Sequence, residues 1–195
     1  MDKEWCNFYR PFFPTNIETE KFVNSCEEQL PTGNTSKIIM HQTQRLVSLA
    51  DDLPKIRPAR ESLQILFLMI CTETVAKLHK DYRGERDSKK HVWIFFTELI
   101  SNVNKKQIAD GFTTTDFRPF GLKKTVELLY DVRCDVVHQG EYWHLNLMSR
   151  ADDTPCITYH KKYGAFTACI SYEDIRGIII RGAIEAAKRH LQQSN

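Results

Sequence analysis

Between residues 59 and about 82 the chain carries Leu63, Leu66, Phe67, Ile70, Val75 and Leu78, with too few polar residues among them to form a solvated face. A helix that is apolar on every side has to be wrapped by other elements, so this stretch is predicted as the central spine of a bundle. Residues 37–53 supply a first wrapping helix, placing Ile38, Leu46, Leu49 and Leu53 near helical spacing, and Pro54 and Pro58 are expected to break the chain before the spine. Gly84 is expected to end the spine, and Ser88 to cap a further helix bearing Trp93, Phe96, Leu99 and Ile100. A polar loop is predicted over 110–121, followed by a helix over 123–139 that Gly140 closes.

Beyond that helix the period changes. Residues 142–149, 156–160 and 165–170 are rich in aromatic and β-branched side chains and read as strands, with 161–164 as a hairpin turn. Ser171 and Asp174 then have capping-box spacing, and Ile175, Ile178, Ile179, Ala183, Ala187 and Leu191 give a last amphipathic helix. Ahead of all this, residues 1–36 combine Trp5, Phe8, Tyr9, Phe12 and Phe13 with Pro11 and Pro14, then a short helix opened by Thr15 and Glu18. The predicted architecture is therefore mainly α, a helical bundle with a small β-hairpin or sheet insertion (about 142–170) before the last helix. An amino-terminal arm (1–36) packs on the domain formed by 37–195.

Hydrophobic residues at 42% and charged residues at 27% exclude a disordered chain. The longest apolar run, 65–71, is too short to span a bilayer, and the first residues lack the basic-then-apolar order of a secretory signal. Six scattered cysteines without a C-x-x-C pair point to reduced thiols, and together these features predict a cytoplasmic protein with no membrane partner. The formal net charge of +2 neither requires nor excludes a nucleic-acid partner.

The 123–139 helix is the segment that offers chemistry. At 100° per residue, Thr125, Leu128, Leu129, Val132 and Val136 form one apolar stripe for the core, and Lys124, Asp131 and Asp135 form a strip expected to face solvent. The remaining arc holds Val126, Tyr130, Cys134 and Val137, with Arg133 at about 100° on one edge and His138 at about 240° on the other. Packing that second apolar face about a two-fold axis predicts a homodimer with Val126, Tyr130, Cys134 and Val137 as its seam and the two Arg133/His138 pairs facing each other. Such an inventory suits cleavage of RNA without a metal or other cofactor. Imidazole, with an ordinary pKa of about 6.5, takes a proton from a 2′-hydroxyl and returns one to a 5′-oxygen, while guanidinium holds the phosphate.

The string LLYDVRCDVVHQG, residues 128–140, resembles the helix of HEPN proteins that ends in an Arg-x4-6-His motif. Glu73, within LMICTETVAKL on the spine, sits where that family often has an acidic residue. The resemblance covers about residues 37–190 and implies a helical bundle, a dimeric metal-independent endoribonuclease acting on single-stranded RNA, and a toxin or defence role. It maps the catalytic pair onto Arg133 and His138, with Glu73, Tyr130 and Cys134 in support. The tyrosine that many such toxins carry two residues after the His falls here on Gly140, so no nucleotidyltransferase antitoxin is implied and any protein partner stays open. The alternative is a HEPN module without activity that binds RNA, a nucleotide or a protein. For the pair itself the plainer reading is a helix-end His beside the dipole and an Arg bridged to an acid. Cys134 with His138, and Cys156 with His160 near His144, also have chelating spacing, but four residues along a strand separate side chains by about 13 Å, too far for one zinc ion.

Overall fold

The computed structural model describes residues 3–28, 34–143, 145–151 and 154–193. It is mainly helical, with a small three-stranded antiparallel sheet before the last helix, as the periodicities predict. The spine is α4, Glu61–His79, and its Ile65, Leu68, Met69, Cys71, Val75 and Ala76 are all fully buried. Each such aliphatic side chain contributes about 1.5–3 kcal/mol on leaving water, which is why this helix draws the others around itself. α3 (Thr35–Ile56), α5 (Ser88–Ile94), α7 (Gly121–Gln139) and α8 (Tyr172–Gln193) all pack on it.

Helix ends depart from the predicted ones for identifiable reasons. Pro54 does not stop α3, which runs on to Ile56. A proline there has no N–H for the Ala50 carbonyl, and the Gln64 amide of α4 donates to that carbonyl instead at 3.2 Å. α4 stops at His79, ahead of Gly84, because Asp81 adopts the left-handed conformation (φ 47°) and lets the Tyr82 N–H reach the Lys77 carbonyl at 2.9 Å. Asp87, also left-handed at φ 69°, precedes α5, and Ser88 spends its hydroxyl on Glu73 rather than on a cap.

The expected loop over 110–121 contains structure. Ser101 caps α6 (Asn102–Asp110), accepting from the Asn104 N–H at 3.2 Å, and β1 (Phe112–Thr114) follows. β1 pairs with β3 (Gly164–Ala168), which pairs on its other side with β2 (Cys156–His160), giving the order β1-β3-β2. The 161–164 turn between β2 and β3 is as predicted, with Gly164 at φ +72°. Residues 142–149 do not form the expected strand; only isolated bridges at Met148 and Ser149 remain, and His144 lies outside the described residues.

Ser171 and Asp174 form the predicted capping box of α8, each side chain accepting from the other's backbone N–H, at 3.1 and 3.3 Å. The amino-terminal arm consists of α1 (Lys3–Tyr9), a 3-10 turn (Arg10–Phe12) and α2 (Asn16–Glu28), and it lies on the bundle. Its anchor is Tyr9, fully buried, whose hydroxyl donates to the Met40 carbonyl at 2.8 Å.

Candidate functional site

α7 carries the Arg133/His138 pair, and three neighbours fix its orientation: α4, α5 and α6. Thr125, Leu128, Leu129 and Val132 are buried and Val136, the last member of the predicted core stripe, is half-buried, so the stripe faces inward except at its end. The helix ends on Gly140 at φ 67°, whose N–H donates to the Val136 carbonyl at 3.2 Å, a termination that leaves His138 exposed in the last turn.

Arg133 points toward α4. Its Nη2 lies 3.6 Å from Glu73 Oε2, longer than a hydrogen bond, and its side chain is 18% exposed. The Glu73 carboxylate is shared, since Oε1 accepts from Ser88 Oγ at 2.7 Å and pairs with Lys77 Nζ at 2.7 Å. Burial alone would push the Glu73 carboxyl up, but the hydrogen bonds from Lys77 and Ser88 and the charges of Lys77 and Arg133 outweigh it and hold the carboxyl below its ordinary value. Glu73 is thus ionised at neutral pH and draws Arg133 without saturating it: the guanidinium Nε–H meets no acceptor among the described residues. Tyr130, one turn earlier, sets its ring under the guanidinium at 5.7 Å. Burial raises the Tyr130 phenol above its ordinary value, and the adjacent Cys134 adds to the effect.

The Lys124, Asp131 and Asp135 strip does not face solvent as predicted. The β2–β3 hairpin covers the two acids with a matching pair of bases. Asp131 accepts from Lys162 Nζ and from the Tyr163 hydroxyl, both at 2.7 Å. Asp135, buried at 8% exposure, pairs with Lys161 Nζ at 3.0 Å, and the neutral His160 ring sets its Nε2 at the same distance. Lys124 lies over the Phe120 ring at 3.7 Å. Acids four apart on α7 meeting adjacent lysines in a turn are a signal present in the sequence, yet nothing local says that the two segments face each other. His160, the residue weighed for zinc with Cys156, is instead turned to Asp135, and its Nδ1 accepts from the Lys162 N–H at 3.1 Å.

The second apolar arc divides along its length. Val126 is 3% exposed and already covered within the chain, whereas Tyr130 and Cys134 are half-buried and Val137 is 50% exposed. Trp143 stands exposed just beyond the helix end. Among the described residues no helix is long and apolar enough to cross a membrane. Compared with protein-family models, with curated proteins and with solved structures, the chain matches none.

Proposed function

We propose that this chain is a metal-independent endoribonuclease of the HEPN type, acting on single-stranded RNA with Arg133 and His138. The observation that carries the reading is the loose tether of Arg133: a guanidinium drawn by an ionised Glu73 at 3.6 Å, longer than a hydrogen bond. A phosphate oxygen is the kind of acceptor that takes up such donors. His138 follows five residues later, about 7.5 Å along the axis, and its exposure suits a group that exchanges protons with a bound substrate.

In the proposed reaction the 2′-oxygen attacks the adjacent phosphorus as an imidazole takes its proton. Arg133 carries the charge that builds on the phosphoryl oxygens, and the 5′-oxygen leaves after gaining a proton. The products are a 2′,3′-cyclic phosphate and a 5′-hydroxyl. One His138 serves as base and the partner copy's as acid, so the reading includes a homodimer whose seam runs through Cys134 and Val137, with Tyr130 at its rim beside the neighbouring cleft.

Purified protein should cleave single-stranded RNA in EDTA to 2′,3′-cyclic ends, and Arg133→Ala and His138→Ala should each lower the rate by at least about a hundredfold. Val137→Asp, which sets a carboxylate into the seam, should both dissociate the dimer and lower the rate. Cleavage unaffected by the first two variants would sink the assignment. A second reading, a module that binds without turnover, is favoured by one observation: Arg133 already has a carboxylate partner and is mostly covered. It predicts saturable RNA binding, weakened by Arg133→Ala, with no cyclic phosphate formed.

A further inference from the structure

A cleft of about 470 Å³ opens between α5 and the first turns of α7. Val126 lies at its base, Trp93 and Tyr130 contribute aromatic walls, and Lys89, Lys90 and Lys123 stand around it. Trp93 is 37% exposed, although the same helix buries His91 and Val92 completely or nearly so. A large indole left partly in water beside an apolar base is a stacking surface without its partner.

The charges define what that partner is. Asp87 and Glu127 line the cleft as well; Lys89 pairs with Glu127 at 3.1 Å, while Lys90, Lys123 and Asp87 make no ion pair among the described residues, so the lining keeps a net charge of +1. Two free ammonium groups beside two aromatic walls fit a flat, apolar ring carrying a phosphate, which is the chemistry of a nucleotide. The cleft adjoins the Arg133 site through one shared residue: Tyr130 is at once a wall of the cleft and the ring beneath the Arg133 guanidinium, 5.7 Å away.

We infer that this cleft is a nucleotide subsite for single-stranded RNA, in which a base stacks on Trp93 and Tyr130 and its phosphate meets Lys90 and Lys123, next to the phosphate held by Arg133. The inference rests on the RNA reading of the Arg133/His138 site for the choice of polymer, and on the cleft itself for the choice of ligand chemistry. It gives Tyr130 a role in gripping substrate.

The test is binding of a short 2′-O-methyl oligouridylate, which has no 2′-hydroxyl to react, to the full chain. Trp93→Ala should weaken binding about tenfold. Lys90→Gln combined with Lys123→Gln, which frees the one phosphate they meet, should lower the slope of log affinity against log salt by about 0.7. The oligonucleotide should quench tryptophan fluorescence in the wild type, and most of that quenching should vanish in Trp93→Phe, which keeps the packing. Unchanged affinity and salt slope in these variants overturn the inference. So does dissociation of a dimer by Trp93→Ala with RNA binding retained, because a second copy would then fill the cleft. Quenching by uridine monophosphate but not by the oligonucleotide also overturns it, since the cleft would then take free nucleotide. Loss of cleavage in Arg133→Ala is read separately. Trp93-dependent binding without any cleavage leaves the subsite standing and removes the ribonuclease.

Discussion

Glu73 is the point at which three helices meet chemically, drawing Lys77 from its own helix α4, Ser88 from α5 and Arg133 from α7. Removing the carboxylate leaves Arg133 and Ser88 facing a void in a largely covered setting, which costs much more than the loss of a surface pair. Glu73→Ala should therefore lower unfolding free energy by about 2–3 kcal/mol, measured by urea titration, and Glu73→Gln by less because Ser88 keeps an acceptor. A loss below about 0.5 kcal/mol in Glu73→Ala would show that the contact is a surface ion pair in effect. The motif residues themselves, Arg133 and His138, were legible from type and spacing. Their surroundings were not, because Ser88 lies fifteen residues from Glu73 and was expected at a helix cap.

At the scale of elements, α8 seals the bundle by letting a π-helical turn, Phe95–Leu99, approach its backbone at Gly182. A Cβ added there would fall 2.5 Å from the Phe95 ring and 3.0 Å from Ile100. Phe95 is fully buried, so the ring has nowhere to go. Alanine normally improves a helix interior by about 1 kcal/mol over glycine. Here overpacking reverses the sign, and Gly182→Ala should lower the thermal midpoint by several degrees, the result of about 1–3 kcal/mol of strain exceeding that gain. A raised midpoint would mean that α8 shifts freely and that the close approach is not a constraint. The same reasoning explains which elements were readable in advance. α4, α7 and α8 announce themselves by a local period, whereas β1 is a strand of three residues whose ladder partner is β3, some fifty residues later.

For the whole molecule, four imidazoles stand in the same direction. His79, His91, His160 and His190 are each held below the ordinary value of 6.5, in every case chiefly because burial disfavours the charged ring. Unfolding returns them to about 6.5, so near and below that pH the unfolded chain binds more protons. Their contribution is complete above about pH 6.5 and is lost as pH falls from there through the lowered folded values, each ring adding at most about 1.4 kcal/mol per pH unit. Asp131 follows the same sense at lower pH: burial would raise its carboxyl, but hydrogen bonds from Lys162 and Tyr163 lower it, so its support is lost only in acid. Urea midpoints should thus be flat from pH 8 to 7 and fall steadily between pH 6.5 and 5; a midpoint rising over that interval would contradict the burial of these rings. Sequence by itself determined that this chain buries a helix apolar on all sides, that a β-hairpin interrupts the helices, and that Arg133 and His138 share the end of one helix, because periodicity, turn chemistry and spacing are local properties. Only the tertiary structure decided that the hairpin clamps Asp131 and Asp135, that Gln64 rescues the carbonyl left by Pro54, and that Trp93 and Tyr130 face one cleft. Those outcomes depend on which surfaces meet, and contacts between distant segments follow from how the whole core fills, which no window of the sequence contains.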